Sequence, residues 1–176
     1  KAGYEHFMLK EIYEQPKTIN DTISPRIKDN DIVIEELNMS DEEIKEITKI
    51  HIVACGSAYH TGVTAKYVIE GLARIPVEVD VASEFRYRDP ILQKGNMVIV
   101  ISQSGETADT LAALRESRER GFKVLGIVNV VGSSIAREAD SVMYTWAGPE
   151  IAVATTKAYS AQLTALYMLA MKFARV

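Results

Sequence analysis

The run Met97-Val98-Ile99-Val100-Ile101 is apolar at every position and passes directly into Ser102-Gln103-Ser104-Gly105-Glu106-Thr107. A run this short, bounded by turn residues, fits a strand buried on both faces. Such a strand needs a layer of helices above it and another below, which commits the chain to an α/β fold. The flanking segments keep the same rhythm. Lys49 to Ala54 reads as a strand ended by Cys55-Gly56-Ser57, with a helix from about Ala58 to Arg74. Pro76 opens a period-two strand, Val77 to Ala82. Thr107 to Arg120 is helical, with Leu111 and Leu114 inward and Gly121 as its C-terminal cap. Val124 to Val128 is a second buried strand. Ser133-Ser134 caps a short helix to Ala139, Ser141 to Trp146 is a further strand, and Thr155 to about Ala174 is a long helix. Strands alternating with helices imply a mostly parallel sheet flanked by helices on both faces.

The first forty residues read differently. Tyr4 to Gln15 places Phe7, Met8, Ile12 and Tyr13 at helical spacing, and Pro16 breaks it. A second short helix is expected from about Thr18 to Ile27. Ser40-Asp41-Glu42-Glu43 is a capping box that opens a helix ending near Lys49. Residues 1–39 are therefore expected to be a helical segment packed on a main domain of residues 40–176. The chain begins at Lys1 rather than Met and stops just after an apolar stretch, so it reads as a piece of something longer.

Composition narrows the function classes. The net charge is −4 with both signs scattered, which argues against a basic nucleic-acid face. No apolar run is long enough to span a membrane. The single cysteine, Cys55, forbids an internal disulfide and fits a reducing, cytoplasmic compartment. Cys55 reads either as a nucleophile at a strand end or as a small buried side chain, and the second reading is favoured. His6, His51 and His60 are isolated and show no metal-ligand spacing, and no cofactor motif is present.

In parallel α/β sheets, ligands sit beyond the carboxyl ends of the strands. Ser102 to Thr107 leaves such an end with three hydroxyls, one amide and a glycine, and then opens a helix. Helix N–H groups and the positive end of the dipole favour an anion, above all a phosphate. The segment has no lysine, so neutral donors would meet the charge, which suits reversible binding better than phosphoryl transfer. A carboxylate would repel a phosphate, so Glu106 is expected to turn away. The bland alternative is helix capping alone, but a cap needs one hydroxyl. The spacing matches neither a Walker loop, nor a dinucleotide fingerprint, nor a nucleophile elbow. Gly56 and Ser57 would form a second wall. Lys157, at the start of an apolar helix, reads as a Schiff-base lysine, as a snorkelling side chain or as a partner of Glu150, with the catalytic reading disfavoured.

Four segments together resemble the glutamine–fructose-6-phosphate aminotransferase (isomerizing), or glucosamine-6-phosphate synthase, family. They are Phe7 to Pro16, Ala82 to Arg88, Ser102 to Thr110 and Thr155 to Ala158. Ser-Gln-Ser-Gly-Glu-Thr alone indicates the wider sugar-isomerase (SIS) domain superfamily; the other blocks narrow it. The resemblance covers almost the whole chain, matches the first of the family's two sugar-isomerase domains, and implies a flavodoxin-like three-layer sandwich. The family makes glucosamine 6-phosphate from fructose 6-phosphate and glutamine. Carried over, Ser102, Gln103, Ser104 and Thr107 bind the phosphate, while Ser57, Val153 and Thr155 line the sugar end. Ala58 stands where the family often has a second hydroxyl, so only its backbone can serve. The family's Schiff-base lysine, general base and ring-opening histidine lie in segments not matched here. No catalytic residue is therefore assigned, Lys157 does not inherit that role, and the isolated chain is expected to be inactive. The resemblance further implies a cytoplasmic homodimer, with the helix from Thr155 and the helix after Ser57 as its contact elements. The rival readings are a sugar-phosphate-sensing domain of a transcription regulator and a dimerisation module with a vestigial loop.

Overall fold

In the computed structural model, which describes residues 1–176, the chain enters through α1 (Phe7–Tyr13) and α2 (Gln15–Ile23). A small hairpin, β1 (Ile27–Lys28) and β2 (Asp31–Ile32), leads to α3 (Asp41–Lys45). The β-α units follow: β3 (Lys49–Ala54), α4 (Gly56–Leu72), β4 (Val77–Val81), α5 (Ala82–Tyr87), β5 (Asn96–Ser102) and α6 (Ala108–Glu119). The last elements are β6 (Val124–Val128), α7 (Ser134–Glu138), β7 (Ser141–Tyr144) and α8 (Lys157–Ala174). Strands β3 to β7 form one parallel sheet in the order β4-β3-β5-β6-β7. The chain steps outward from β3 to β4, then returns past β3 to β5. The switch in strand order thus falls between β3 and β5.

Pleating divides the central strands between two cores. Ile50, Ile52 and Ala54 of β3 and Met97, Ile99 and Ile101 of β5 pack with Ala65 and Ile69 of α4 and Leu166 and Leu169 of α8. The alternate residues Val53, Val98 and Val100 pack with Phe85, Ala113, Leu114 and Ile135 from α5, α6 and α7. Side chains alternating between two buried faces explain why β5 is apolar at successive positions. Helices therefore cover both faces, giving the three-layer sandwich. Gly62 lets α4 close onto β3, because a Cβ there would lie 2.8 Å from Ile52 Cγ2. No helix is long and apolar enough to cross a membrane.

Several boundaries differ from the sequence expectation for identifiable reasons. Pro16 does not simply break a helix; it sits in the first turn of α2, where its missing N–H leaves nothing unpaired. The second helix stops at Ile23, and Ile27 already pairs in β1. The capping box at Ser40 forms with both of its hydrogen bonds, but its helix ends at Lys45 because Lys49 pairs with Asn96 in the sheet. Ala82 starts α5 rather than ending β4, and Ala82 and Phe85 are buried against the sheet. Helix α8 begins at Lys157 rather than Thr155.

Helix α2 packs on α8, with Ile23 against the main core, and buried polar groups add to its attachment. Thr22 Oγ1 of α2 donates to the Thr145 carbonyl, and fully buried Arg26 donates to the carbonyls of Thr22 and Tyr144 and to Glu36. A buried guanidinium is tolerable only when its donors are matched in this way.

Candidate functional site

The segments following β3 and β5 meet at the switch in strand order, where α/β sheets open a crevice. A cavity of about 260 Å³ lies there. Ser57 and Ala58 from the start of α4, Ser102, Gln103, Ser104 and Thr107 after β5, and Val153 and Thr155 before α8 all line it. The structure thus brings together all eight residues expected from the sequence.

The Ser102–Thr107 segment is built by its own hydroxyls. Ser102 Oγ lies 2.9 Å from Thr107 Oγ1 and accepts the Gly105 N–H at 3.0 Å. Ser104 Oγ accepts the Glu106 N–H at 3.2 Å. Ser102 is buried and closes the turn, leaving Gln103, Ser104 and Thr107 nearer the opening. Gly105 has φ +69°, and a Cβ on it would lie 2.0 Å from Ser133 Oγ, so the turn excludes any larger residue. Thr107 is the N-cap of α6, yet its side chain makes no capping hydrogen bond. Its hydroxyl is directed to Ser102 instead. Capping therefore does not account for these hydroxyls, and the first N–H groups of α6 lack a side-chain acceptor of that kind.

Glu106 turns away from the cavity, as its charge requires. Its Oε1 accepts the Ser134 N–H at 2.7 Å, at the start of α7. Hydrogen bonds from Ser134, side chain and backbone, hold this carboxyl below the usual range. The Gly105 carbonyl accepts the Ile135 N–H. The turn after β5 is thereby tied to the turn after β6.

The opposite wall, residues 150–155, has no regular secondary structure. Glu150 supports it from within: its carboxylate accepts from Thr155 Oγ1 at 2.8 Å and from the N–H groups of Thr156 and Ala158 at 3.0 Å each. This carboxylate caps α8, a task the N-cap Thr156 leaves undone. Buried Glu11 of α1 supports the wall from outside by accepting the N–H of Ile151 at 2.6 Å. Val153, between these supports, is fully exposed.

Cys55, Ile101, Glu150, Ala152 and Gln162 also line the cavity and were not assigned to it from the sequence. Glu150 carries a usable signal, an acid just ahead of a helix start. Gln162 carries another, a long amide side chain on a mostly apolar helix. Cys55 is half-buried, receives a long contact of 3.8 Å from Thr110 Oγ1, and is the N-cap of α4 without a side-chain capping bond.

Lys157 does not line this cavity. It is 3% exposed and pairs at 2.7 Å with Glu14, the residue between α1 and α2, not with Glu150, whose oxygens are occupied by the α8 N-terminus. Hydrogen bonds from Lys10 and then from Lys157 pull the Glu14 carboxyl below its usual range. His51 is a packed side chain whose Nε2 meets Asn96 Oδ1 at 3.1 Å, and burial lowers its pKa. Its neighbours Glu78 and Asp80 come close enough to share a cation with it. Those carboxylates already bind Lys49 and Arg88, so the group is an ion-pair network.

The chain is 63% identical over 99% of its length to the glutamine–fructose-6-phosphate aminotransferase [isomerizing] of Clostridium tetani. It is 64% identical, again over 99%, to the protein of that name from Caldanaerobacter subterraneus. It spans 29% of the length of each. The C-terminal domain of glucosamine-fructose-6-phosphate aminotransferase from Francisella tularensis superposes with a TM-score of 0.94 at 45% identity. That match covers 99% of this chain and 49% of the other. Residues 43–172 match the family described as SIS domain, and the chain belongs to that family.

Proposed function

We propose that this chain is the sugar-phosphate-binding domain of a glutamine–fructose-6-phosphate aminotransferase, with the phosphate of fructose 6-phosphate or glucosamine 6-phosphate seated on Ser102–Thr107. The observation that carries the reading is the convergence of Ser102, Ser104 and Thr107 hydroxyls at the N-terminus of α6, whose N-cap side chain does no capping. A phosphate there would meet neutral donors and the positive end of the α6 dipole. Ser57, the Ala58 backbone, Val153 and Thr155 would then face the sugar. In this reading residues 1–39 are an attached helical segment on a sugar-isomerase domain of residues 40–176, and the protein works in the cytoplasm.

No residue of this chain is given a catalytic role. Proton transfer between sugar carbons needs a positioned, available base. Glu150 is the carboxylate in the cavity, and it is occupied by three donors. The chain should therefore bind substrate without turning it over, the acid–base groups belonging to the rest of the synthase.

Self-association as a homodimer is part of the same proposal. The buried side of α8 is explained by packing within one protomer, since Ala161, Ala165, Leu166 and Leu169 are all buried there. The contact would use apolar groups left exposed on the outer sides of the expected helices, Tyr67 and Leu72 on α4 and Tyr167 and Met171 on α8. Sedimentation equilibrium at micromolar concentration should give twice the 19.5 kDa chain mass; a single species at 19.5 kDa would refute the dimer.

Calorimetric titration tests the binding reading. Fructose 6-phosphate should bind more tightly than fructose. Ser104→Ala or Thr107→Ala should each weaken binding about threefold to tenfold, the equivalent of one hydrogen bond. Equal affinity for fructose and fructose 6-phosphate would refute it.

A further inference from the structure

Helix α1 presents an unusual balance. Its one buried residue is an acid, Glu11, at 1% exposure, while Phe7, Met8, Leu9, Ile12 and Tyr13 all remain substantially exposed. Burying a carboxylate is unfavourable unless its oxygens are matched by donors. Glu11 finds them 140 residues away. Its Oε1 accepts the Ile151 N–H at 2.6 Å, and the Ala152 N–H lies 3.3 Å from both carboxylate oxygens. These two amides immediately precede Val153. Two further contacts extend the seam: Glu14 pairs with buried Lys157 at the start of α8, and Gln15 Oε1 accepts from Ser160 Oγ at 2.6 Å.

We propose that Glu11 is a positioning residue for the sugar end of the site, and that α1 acts as a clamp on residues 150–155. This inference rests on reading the cavity as a sugar-phosphate site. The physical case is one of supply. An irregular segment holds its shape only if its backbone donors are matched, and the amides of Ile151 and Ala152 are matched by α1 rather than by their own neighbours. Within the segment, Glu150 fixes Thr155 and the first turn of α8 but does not reach Ile151 or Ala152. Val153, fully exposed at the mouth of the cavity, has no burial of its own to fix it. Detaching Glu11 would free the backbone that presents Ala152 and Val153 to the ligand. The hydroxyl turn of Ser102–Thr107, whose contacts are independent of α1, would be left as it is. Because this polar seam joins α1 and the two residues after it to residues 151–160, the attachment of α1 and the shape of the sugar wall are coupled.

The test compares the 176-residue chain with its Glu11→Ala and Glu11→Gln variants, titrated with fructose 6-phosphate and with inorganic phosphate. Glu11→Ala should weaken fructose 6-phosphate binding about tenfold, as expected for lost bonds to a charged acceptor, and change phosphate binding less than twofold. Glu11→Gln keeps an acceptor oxygen for Ile151 and should recover most of that loss. Amide hydrogen exchange at Ile151 and Ala152, followed without ligand, should be slow in the native chain and much faster in Glu11→Ala. The core variant Ile69→Val sets the effect of destabilisation alone and should leave the ratio of the two affinities unchanged. An unchanged fructose 6-phosphate affinity in Glu11→Ala, or an equal loss for both ligands, would overturn the inference. If Glu11→Ala fails to fold, exchange at Ile151 and Ala152 in the native chain as fast as at fully exposed amides would overturn it too. Failure of the native chain to prefer fructose 6-phosphate over inorganic phosphate would instead remove the sugar-site reading on which the inference rests.

Discussion

The two walls of the cavity are held by different means. The Ser102–Thr107 wall is largely self-supporting: its hydroxyl contacts join residues two to five positions apart, and its outward ties run to the adjacent turn after β6, from Glu106 and the Gly105 carbonyl to α7 and from the Gln103 carbonyl to the Asn129 N–H. The 150–155 wall has a capping acid of its own, but it also leans on a helix 140 residues away. One is a short loop fixed by local geometry; the other is an irregular segment assembled by tertiary contacts. Local loops close at little entropic cost and persist when distant parts move, whereas a wall built from remote contacts can be reshaped by whatever moves the remote part.

The largest expected effect comes from breaking the local wall at its tightest point. Gly105→Ala combines a positive φ with a Cβ 2.0 Å from Ser133 Oγ and 2.5 Å from Ser133 Cβ. Strain and overpacking together should cost about 3 kcal/mol of stability and abolish measurable phosphate binding. Thermal unfolding with a parallel phosphate titration checks both. Glu150→Ala follows. It removes the acceptor of three donors at the start of α8 and should cost about 2 kcal/mol in chemical denaturation. Unlike Gly105→Ala, it should spare inorganic phosphate binding and weaken only the sugar phosphate. If both variants lose both ligands alike, the two walls are one unit and the distinction fails.

A smaller effect concerns pH. The Glu106 carboxyl sits below its ordinary value because Ser134 donates to its charged form. A depressed carboxylate contributes its tie above its unfolded value, about 4.3, and loses it as pH falls through the lower folded value. The Ser134 amide resonance should therefore stay constant down to the ordinary carboxylate value, about 4.3, and move only below it. Glu106→Gln should remove that titration. A midpoint near 5 or above would contradict the assigned hydrogen bond.

The same contrast explains what could be read in the sequence. β5, Gly105 and the hydroxyl cluster are legible because strand burial, turn geometry and hydroxyl spacing are properties of consecutive residues. The alternation of strands and helices implied a parallel sheet with ligands beyond its strand ends, which marked Ser57 as a second wall for Ser102–Thr107; the strand order itself came only with the structure. Val153, Thr155 and the Ala58 position came only through the family resemblance; nothing local marks them. Glu11 was indistinguishable from its neighbours, because an acid on a short amphipathic helix ordinarily faces water. For Lys157 sequence proximity offered only Glu150 as an ion partner, whereas folding brings Glu14 to it and commits Glu150 to the α8 amides. Helix α5 was missed because Ala82 to Tyr87 continues directly from a strand with no intervening breaker.

The central claim is that one wall takes the phosphate and the other takes the sugar. Amide chemical-shift mapping of the native chain tests it most directly. Inorganic phosphate should perturb the amides of Gln103 to Asp109 and leave Ile151 to Thr155 in place, while fructose 6-phosphate should perturb both sets. Perturbation of both sets by phosphate alone, or of neither by fructose 6-phosphate, would contradict the account.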